Sequence, residues 1–294
     1  MNGVININKP PGWTSHDVVA KARGLLKEKQ IGHLGTLDPM ATGVLPLAVG
    51  IATRLIEFSS YSKEYVATCL LGKSTDSCDV TGKTINEKDP AGLSGEKIRE
   101  ELFKLKNITE QTPPMVSAVK FAGKKLYELA RQGKVVERKP RAIKIEELEP
   151  IRVEVPRVTF RVVCSAGTYI RVLCQSLGEA LAVGGCMESL ERTRVGPFHL
   201  SASFTLEDVK KKTEEGNLSG MLLPSGSLVS HLGELRMGGP MLSDLCHGKK
   251  MNLPEGSAGT YRILNPEGLL CSVAEVSESG ELRPRKVFGV EGIL

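Results

Sequence analysis

Between Gly32 and Gly50, in GHLGTLDPMATGVLPLAVG, no more than three successive residues pass without a glycine or a proline. Glycine loses more backbone freedom on ordering than any other residue, and proline lacks an N–H and fixes φ. A stretch punctuated in this way reads as a loop that the rest of the fold must hold, not as a helix. The longest apolar candidate for a membrane span, Pro39 to Thr53, is cut at Gly43, Pro46 and Gly50. That run is also shorter than the roughly 20 residues a spanning helix needs. No signal-peptide pattern opens the chain, so the expectation is a cytoplasmic protein with no membrane association. Its 294 residues suggest about two domains, and 40% hydrophobic with 25% charged residues supports a sizeable core.

The chain opens with Val4-Ile5-Asn6-Ile7-Asn8-Lys9, which alternates as a strand does and stops at Pro10-Pro11-Gly12. Thr14 or Ser15 then offers an N-cap to an amphipathic helix carrying Val18, Val19, Ala22, Leu25 and Leu26. Residues 64–71 read as a strand, 75–82 (TDSCDVTG) as a polar turn, and 94–106 as a helix with Ile98, Leu102 and Leu105 on one face. The stretch 118–144 reads as a short hairpin, a helix near Leu126–Arg131 and an extended arm. Residues 157–164 and 168–173 suggest strand, then helix, and Thr205 with Asp208 three residues on resembles a capping box. Gly, Ser and Pro cluster in GNLSGMLLPSGSL (216–228), which places a domain boundary just beyond, near residue 232. The remaining residues read as short strands at Gly259–Leu264, Leu269–Val276 and Leu282–Val287.

Net charge is +5, a balance compatible with nucleic acid that does not demand it. Its distribution says more. Between Lys120 and Lys144 lie Lys124, Lys125, Arg131, Lys134, Arg138, Lys139 and Arg141, opposed only by Glu128 and Glu137, a candidate phosphate-binding surface. Lys210-Lys211-Lys212 sits among acids and reads as a solvated helix face. The seven cysteines show neither CxxC pairs nor zinc spacing, which points to reduced buried thiols. No P-loop, GxGxxG or GxSxG pattern appears, removing the commonest nucleotide and hydrolase readings.

Asp38 lies between a glycine-rich turn and Pro39, close to His33. Local sequence allows two roles for it: an Asx turn, slightly favoured, or a nucleophile or general base on a rigid loop. Arg171 follows a strand-like run and is either a surface arginine or a guanidinium that keeps a buried carboxylate ionised. Tyr65 alternates with apolar neighbours, as a core tyrosine does. Spacing alone ends at a cytosolic protein with a candidate carboxylate site and a basic arm.

Longer segments carry a resemblance. GHLGTLDPMATGVLP (32–46) is similar to the signature loop of TruB-type pseudouridine synthases, and five further segments resemble the family in its order: NKPPGWTSHDVV (8–19), KEYVATCLLGKSTDSCDVTG (63–82), PPMVSAVKFAGKKLYELARQGKVVERKPR (113–141), CSAGTYIRVLCQSLG (164–178) and LERTRVGPF (190–198). HGKKM (247–251) and LRPRKVF (282–288) resemble a compact PUA RNA-binding domain.

The resemblance implies an α+β catalytic domain over 1–232, a mixed or antiparallel sheet flanked by helices and loops, with a basic RNA-clamping insertion at about 118–144. A small β-rich PUA-like domain follows at 233–294. It further implies an isomerase that turns uridine 55 of the tRNA T-loop into pseudouridine. By position, Asp38 is then the catalytic aspartate, Arg171 its salt-bridge partner, and Tyr65 the ring that stacks on the flipped uracil. Leu190 lines the same pocket, His33 probes the opened T-loop, Lys9 supports the active-site loop, and Lys124 and Lys139 belong to the clamp. Because the reaction only rearranges atoms, the resemblance implies no cofactor and no metal. The partner is the tRNA T-arm, without an obligate protein partner, and a monomer is expected because no apolar heptad appears.

Two departures stand out: Leu34, where the family commonly has a small or hydroxylated residue, and Gln175-Ser176, where an acid often precedes Leu-Gly. Two rival functions are a non-catalytic or chaperone-like RNA-binding module and a guide-RNA-dependent rRNA pseudouridine synthase.

Overall fold

The computed structural model describes every residue except Ala118, Ala122, Ser219, residues 254–257 and Leu294. Within the basic stretch, the side chains of Lys120, Lys125 and Arg131 also lie outside the described residues. The fold is α+β and divides into two compact units, one of Met1–Pro39, Gly43–Tyr61 and Pro197–Leu294, the other of Met40–Thr42 and Ser62–Gly196.

In the first unit, strand Gly3–Lys9 runs antiparallel between Thr42–Val49 and the short Leu222–Leu223, and Ile31–His33 pairs with Thr42–Val49. The glycine- and proline-punctuated stretch is thus partly strand. Pro46, which cannot donate to a ladder, sits opposite Asn6, and its carbonyl accepts from the Leu34 N–H at 3.0 Å. Helix Ser15–Leu26 forms as its pattern predicts, capped by a Thr14–Asp17 box, and packs against helix Leu206–Glu214, capped by a Thr205–Asp208 box. Ile5, Ile7, Leu45 and Leu47 from the strands meet Val18, Val19 and Val209 from the helices in one core.

The same unit holds a five-stranded sheet in the order Gly233–Arg236, Gly259–Leu264, Leu270–Val276, Glu281–Val287, Met251–Asn252. The first pair is parallel and the rest antiparallel. Leu242 and Leu245 of helix Gly239–Cys246, not evident in the sequence, cover Ile263, Ala274 and Leu282. Lys286 pairs with Glu57 at 2.8 Å, and the Arg54 guanidinium lies 5.2 Å from the centre of the Phe288 ring.

The second unit is built on an antiparallel sheet in the order Ile145–Glu154, Arg157–Cys164, Lys63–Leu71, Gly185–Val195. Its inner face carries Tyr65, Ala67, Cys69, Val158, Phe160 and Val162, all buried. Its outer face carries charges, with Arg161 bridging Glu64 (2.8 Å) and Glu147 (2.6 Å) and Arg157 bonded to Glu188 (2.8 Å). Helix Ile170–Ala180 packs on the inner face against strand Gly185–Val195. It does so because Gly178 has no side chain: a Cβ there would fall 2.0 Å from the Gly185 nitrogen.

Replacing Gly178→Ala is therefore expected to cost about 3 kcal/mol or more, the upper range for overpacking, because backbone and not a pliant side chain lies in the way. Urea denaturation measures it; a midpoint equal to that of the unaltered protein would refute the close-packing account.

Candidate functional site

Asp38 is half-buried in a turn whose two peptide neighbours are separately fixed. On one side, the Leu37 N–H donates to Ser15 Oγ at 2.8 Å, and the Ser15 hydroxyl donates back to the Leu37 carbonyl at 3.3 Å. Ser15 is the first residue of its helix and is 2% exposed. On the other side, the Pro39 carbonyl accepts from the Gly12 N–H at 2.9 Å and from Lys9 Nζ at 3.1 Å. Lys9 is fully buried, and its ammonium also donates to the carbonyls of Pro10 (2.9 Å) and Trp13 (2.6 Å). Carbonyl oxygens converging on an ammonium are what makes a buried lysine tolerable. Gly12 adopts φ +81°, a left-handed conformation that suits glycine, and this turns its N–H toward Pro39.

His33 ends its strand opposite Leu47 and is half-buried, so it flanks the same loop. Leu34 is 4% exposed, and the departure it represents is absorbed as core packing.

In the other unit, Tyr65 and Arg192 stand directly opposite each other across paired strands, and Leu190 opposes Ala67 one step along the same face. Tyr65 and Leu190 are each 7% exposed and Arg192 fully buried. Arg171, in the first turn of helix Ile170–Ala180, is also buried. Its Nη1 donates to the Ser77 carbonyl at 3.1 Å and its Nη2 to the Val116 carbonyl at 2.9 Å. The buried carboxylate of Asp79 lies 3.9 Å from its Nη1. Asp79 Oδ1 accepts from Ser77 Oγ (2.8 Å), the Thr81 N–H (3.0 Å) and Thr81 Oγ1 (2.6 Å). The segment read as a polar turn therefore presents an acid to Arg171, while Gln175, standing where an acid is common, accepts from the Cys78 thiol at 2.9 Å and donates to Glu179 at 2.8 Å.

Asp79 and Arg192 are the residues that sequence reasoning passes over. The Ser77-x-Asp79-x-Thr81 spacing was the available signal for the first, because such a carboxylate closes on its own neighbours. Only strand register reveals the second. Lys63, on the inner face beside Tyr65, is brought down to about 8 by burial and by the neighbouring Arg192. Lys124 and Lys139 are exposed, and Arg138 Nη1 ties the arm back to the Pro113 carbonyl at 3.0 Å. Among the described residues no three His, Cys, Asp or Glu side chains gather as metal ligands would, and no helix is long and apolar enough to cross a membrane. The described cysteines are free thiols, and burial raises those at 78, 164, 174, 186, 246 and 271.

Removing an anchor of the Asp38 loop has a local signature. In Ser15→Ala the Leu37 N–H loses its acceptor, at a cost of about 1–3 kcal/mol for an unsatisfied buried group. Amide exchange at Leu37 should accelerate; an unchanged rate would show that the hydroxyl does not hold the loop.

Residues 23–170 match the TruB family pseudouridylate synthase N-terminal domain, and residues 171–236 match the tRNA pseudouridylate synthase B C-terminal domain. The chain is 43% identical over 296 residues to tRNA pseudouridine synthase B of Heliobacterium mobile, covering 98% of this chain and 95% of that protein. It is 41% identical over 300 residues to the protein of the same name from Syntrophomonas wolfei, covering 99% of each. Among solved structures, it superposes on a chain of a Cbf5–Nop10–Gar1 complex with TM-score 0.78 at 28% identity, over 98% of this chain and 86% of that one. A chain of an H/ACA RNP bound to a substrate RNA containing 2′-deoxyuridine gives 0.75 at 27% identity, over 97% and 84%.

Proposed function

We propose, from the premise that the chain belongs to the TruB family of pseudouridylate synthases, that its substrate is uridine 55 of the tRNA T-loop and that Asp38 is its nucleophile or base. That it is a tRNA pseudouridine synthase, an isomerase that binds RNA, follows from the family. The finer reading is supported above all by the clamped turn: a reactive carboxylate needs a fixed position, and both peptide neighbours of Asp38 are tied to the strand–turn–helix segment Lys9–Ser15.

A uridine inside a folded loop is unreachable until it swings out, at a cost of a few kcal/mol. Tyr65, stacked on the base, and Leu190, in apolar contact with it, return part of that cost. His33 occupies the loop opened by the departing base. Asp38 acts while the N1–C1′ bond breaks, the uracil turns, and C5 joins C1′. The proton lost from C5 is matched by one gained at N1, so the change is internal to the nucleotide and uses no oxidant or reductant. Arg171, held by the Ser77 and Val116 carbonyls, is by the family resemblance the guanidinium that keeps the catalytic carboxylate charged. Residues 118–144, with Lys124 and Lys139, grip the T-stem through phosphates, which positions the substrate without reading sequence. Residues 233–294 add a PUA-like RNA-binding module, with the boundary at 232. The protein works as a cytoplasmic monomer.

An unmodified T-arm hairpin labelled with tritium at C5 of uridine 55 tests the reading. The unaltered protein should release the label and leave pseudouridine at that position, while Asp38→Asn should bind the hairpin and release none. Release from Asp38→Asn would remove Asp38 as the catalyst. Binding without release by the unaltered protein would leave an RNA-binding module, and release only from a guide-paired rRNA fragment would favour the guided reaction. For the clamp, Lys124→Ala and Lys139→Ala should each lower the slope of log affinity against log salt by about 1; unchanged slopes would exclude phosphate contacts by those side chains.

A further inference from the structure

Arg192 is the side chain that the proposed chemistry leaves unused and that simple packing does not explain. It is fully buried on the inner face of the second unit's sheet, at a strand position where a leucine or methionine would fill space without desolvating a charge. Replacing buried ionic groups by apolar residues of similar volume is often neutral or stabilising, so the presence of a guanidinium there calls for a specific partner.

Register supplies one. Tyr65 is flanked by Val162 on one strand and Arg192 on the other, each directly opposite it. Burial works against the charge on Arg192, and Tyr65 favours that charge through a side-chain hydrogen bond and through electrostatic attraction. A guanidinium carries donors only, so in this bond the phenol oxygen accepts. Among the described residues, this face of the strands also carries Lys63 and Cys69, on the same strand as Tyr65, and Cys164, which pairs with Lys63 and is held as a neutral thiol, raised to about 11 by burial. Glu64 and Glu188 turn to the opposite face and pair with Arg161 and Arg157. Arg192 and Lys63 are thus the two cations on the Tyr65 face of these strands.

We propose that Arg192 is a positioning residue for the uridine rearrangement: its guanidinium donates to the Tyr65 phenol oxygen and thereby fixes the tilt and polarity of the ring that meets the flipped uracil. The inference rests on the reading of Tyr65 given above. It has two consequences. The ring is held at its far end as well as at its backbone, which limits the poses open to the base lying on it. The phenol oxygen, engaged by a permanent cation, ionises more readily than it would in an apolar strand pair, since opposite charge favours the charged form.

Ultraviolet difference titration of the full-length protein against Tyr65→Phe isolates the ionisation of this one phenol. In Arg192→Met that ionisation should move to higher pH, and in Arg192→Lys, which keeps a cation, it should move less. In T-arm turnover, Arg192→Met should lower kcat on the order of 10²-fold, the size of effect that a small misplacement produces, with KM little changed and with no further loss when built into Tyr65→Phe. Should Arg192→Met fail to fold, the Arg192→Lys titration and kinetics decide, and a phenol and a kcat equal to those of the unaltered protein would overturn the proposal. An unmoved titration in folded Arg192→Met, or an equal loss of kcat with and without the Tyr65 hydroxyl, would overturn it too. If Tyr65→Phe is itself fully active, this inference falls and the stacking reading of Tyr65 stands; if Tyr65→Ala is fully active, the stacking reading falls and this inference with it. An impaired Tyr65→Phe beside an unmoved phenol overturns this inference alone.

Discussion

An ammonium withdrawn from water is stable only where oxygens converge on it, and Lys9 imposes that demand at the end of the first strand. The carbonyls of Pro10, Trp13 and Pro39 meet it, and they belong to two segments far apart in the chain. Satisfying one buried cation therefore fixes the turn after the strand, the start of the following helix and the loop around Asp38 in a single arrangement. The residue types in NKPPGWTS answer to it in detail. Pro10 and Pro11 end the strand, Gly12 reaches a left-handed φ that frees its N–H for Pro39, and Ser15 grips Leu37 from the first turn of the helix. Loosening any of these frees the backbone on one side of the Asp38 carboxylate.

The second unit solves a similar problem by close approach. Gly178 and Gly185 let helix Ile170–Ala180 lie against the sheet at a distance no side chain permits, and this seats Arg171 over the TDSCDVTG turn. Asp79 is already committed to Ser77 and Thr81, so it offers Arg171 a negative neighbour in a fixed place. The glycines and the hydroxyl residues thus act on Arg171 without contributing charge of their own.

Much of this was legible in the sequence, wherever pattern and cap agreed. The strand before Pro10, the helix capped at Thr14 and the Thr205–Asp208 box each combine periodicity with a local hydrogen bond, and the structure forms all three. Strands Ile145–Glu154 and Gly185–Val195 escaped notice because charges fill their outward positions, and in the second an arginine occupies an inward one. Helix Gly239–Cys246, opened by a glycine and a proline with no side-chain cap, gave no such signal. Thr42–Val49 was hidden by Gly43 and Pro46, which argue against a strand until the pairing with Gly3–Lys9 is seen. At the candidate site, the resemblance named Asp38, Tyr65 and Arg171, but the groups that hold the last two, Asp79 and Arg192, depend on which residues face each other across strands and turns, and that information is absent from linear spacing.

Lys9, Arg171 and Arg192 use one device. Each is a buried cation whose named partners are oxygens of the protein: three carbonyls for Lys9, two carbonyls and a carboxylate for Arg171, a phenol for Arg192. Hydrogen bonds to charged groups contribute about 1.5–3 kcal/mol against about 0.5–1.5 for neutral ones, so an element tied by a cation is held more stiffly. A reaction that exchanges one bond for another within a single nucleotide asks for few reagents and for accurate placement of the groups around it. On the proposed reading of Asp38, Tyr65 and Arg171, charge used to fix oxygens within each unit provides that placement before the substrate arrives, at a desolvation cost already met during folding.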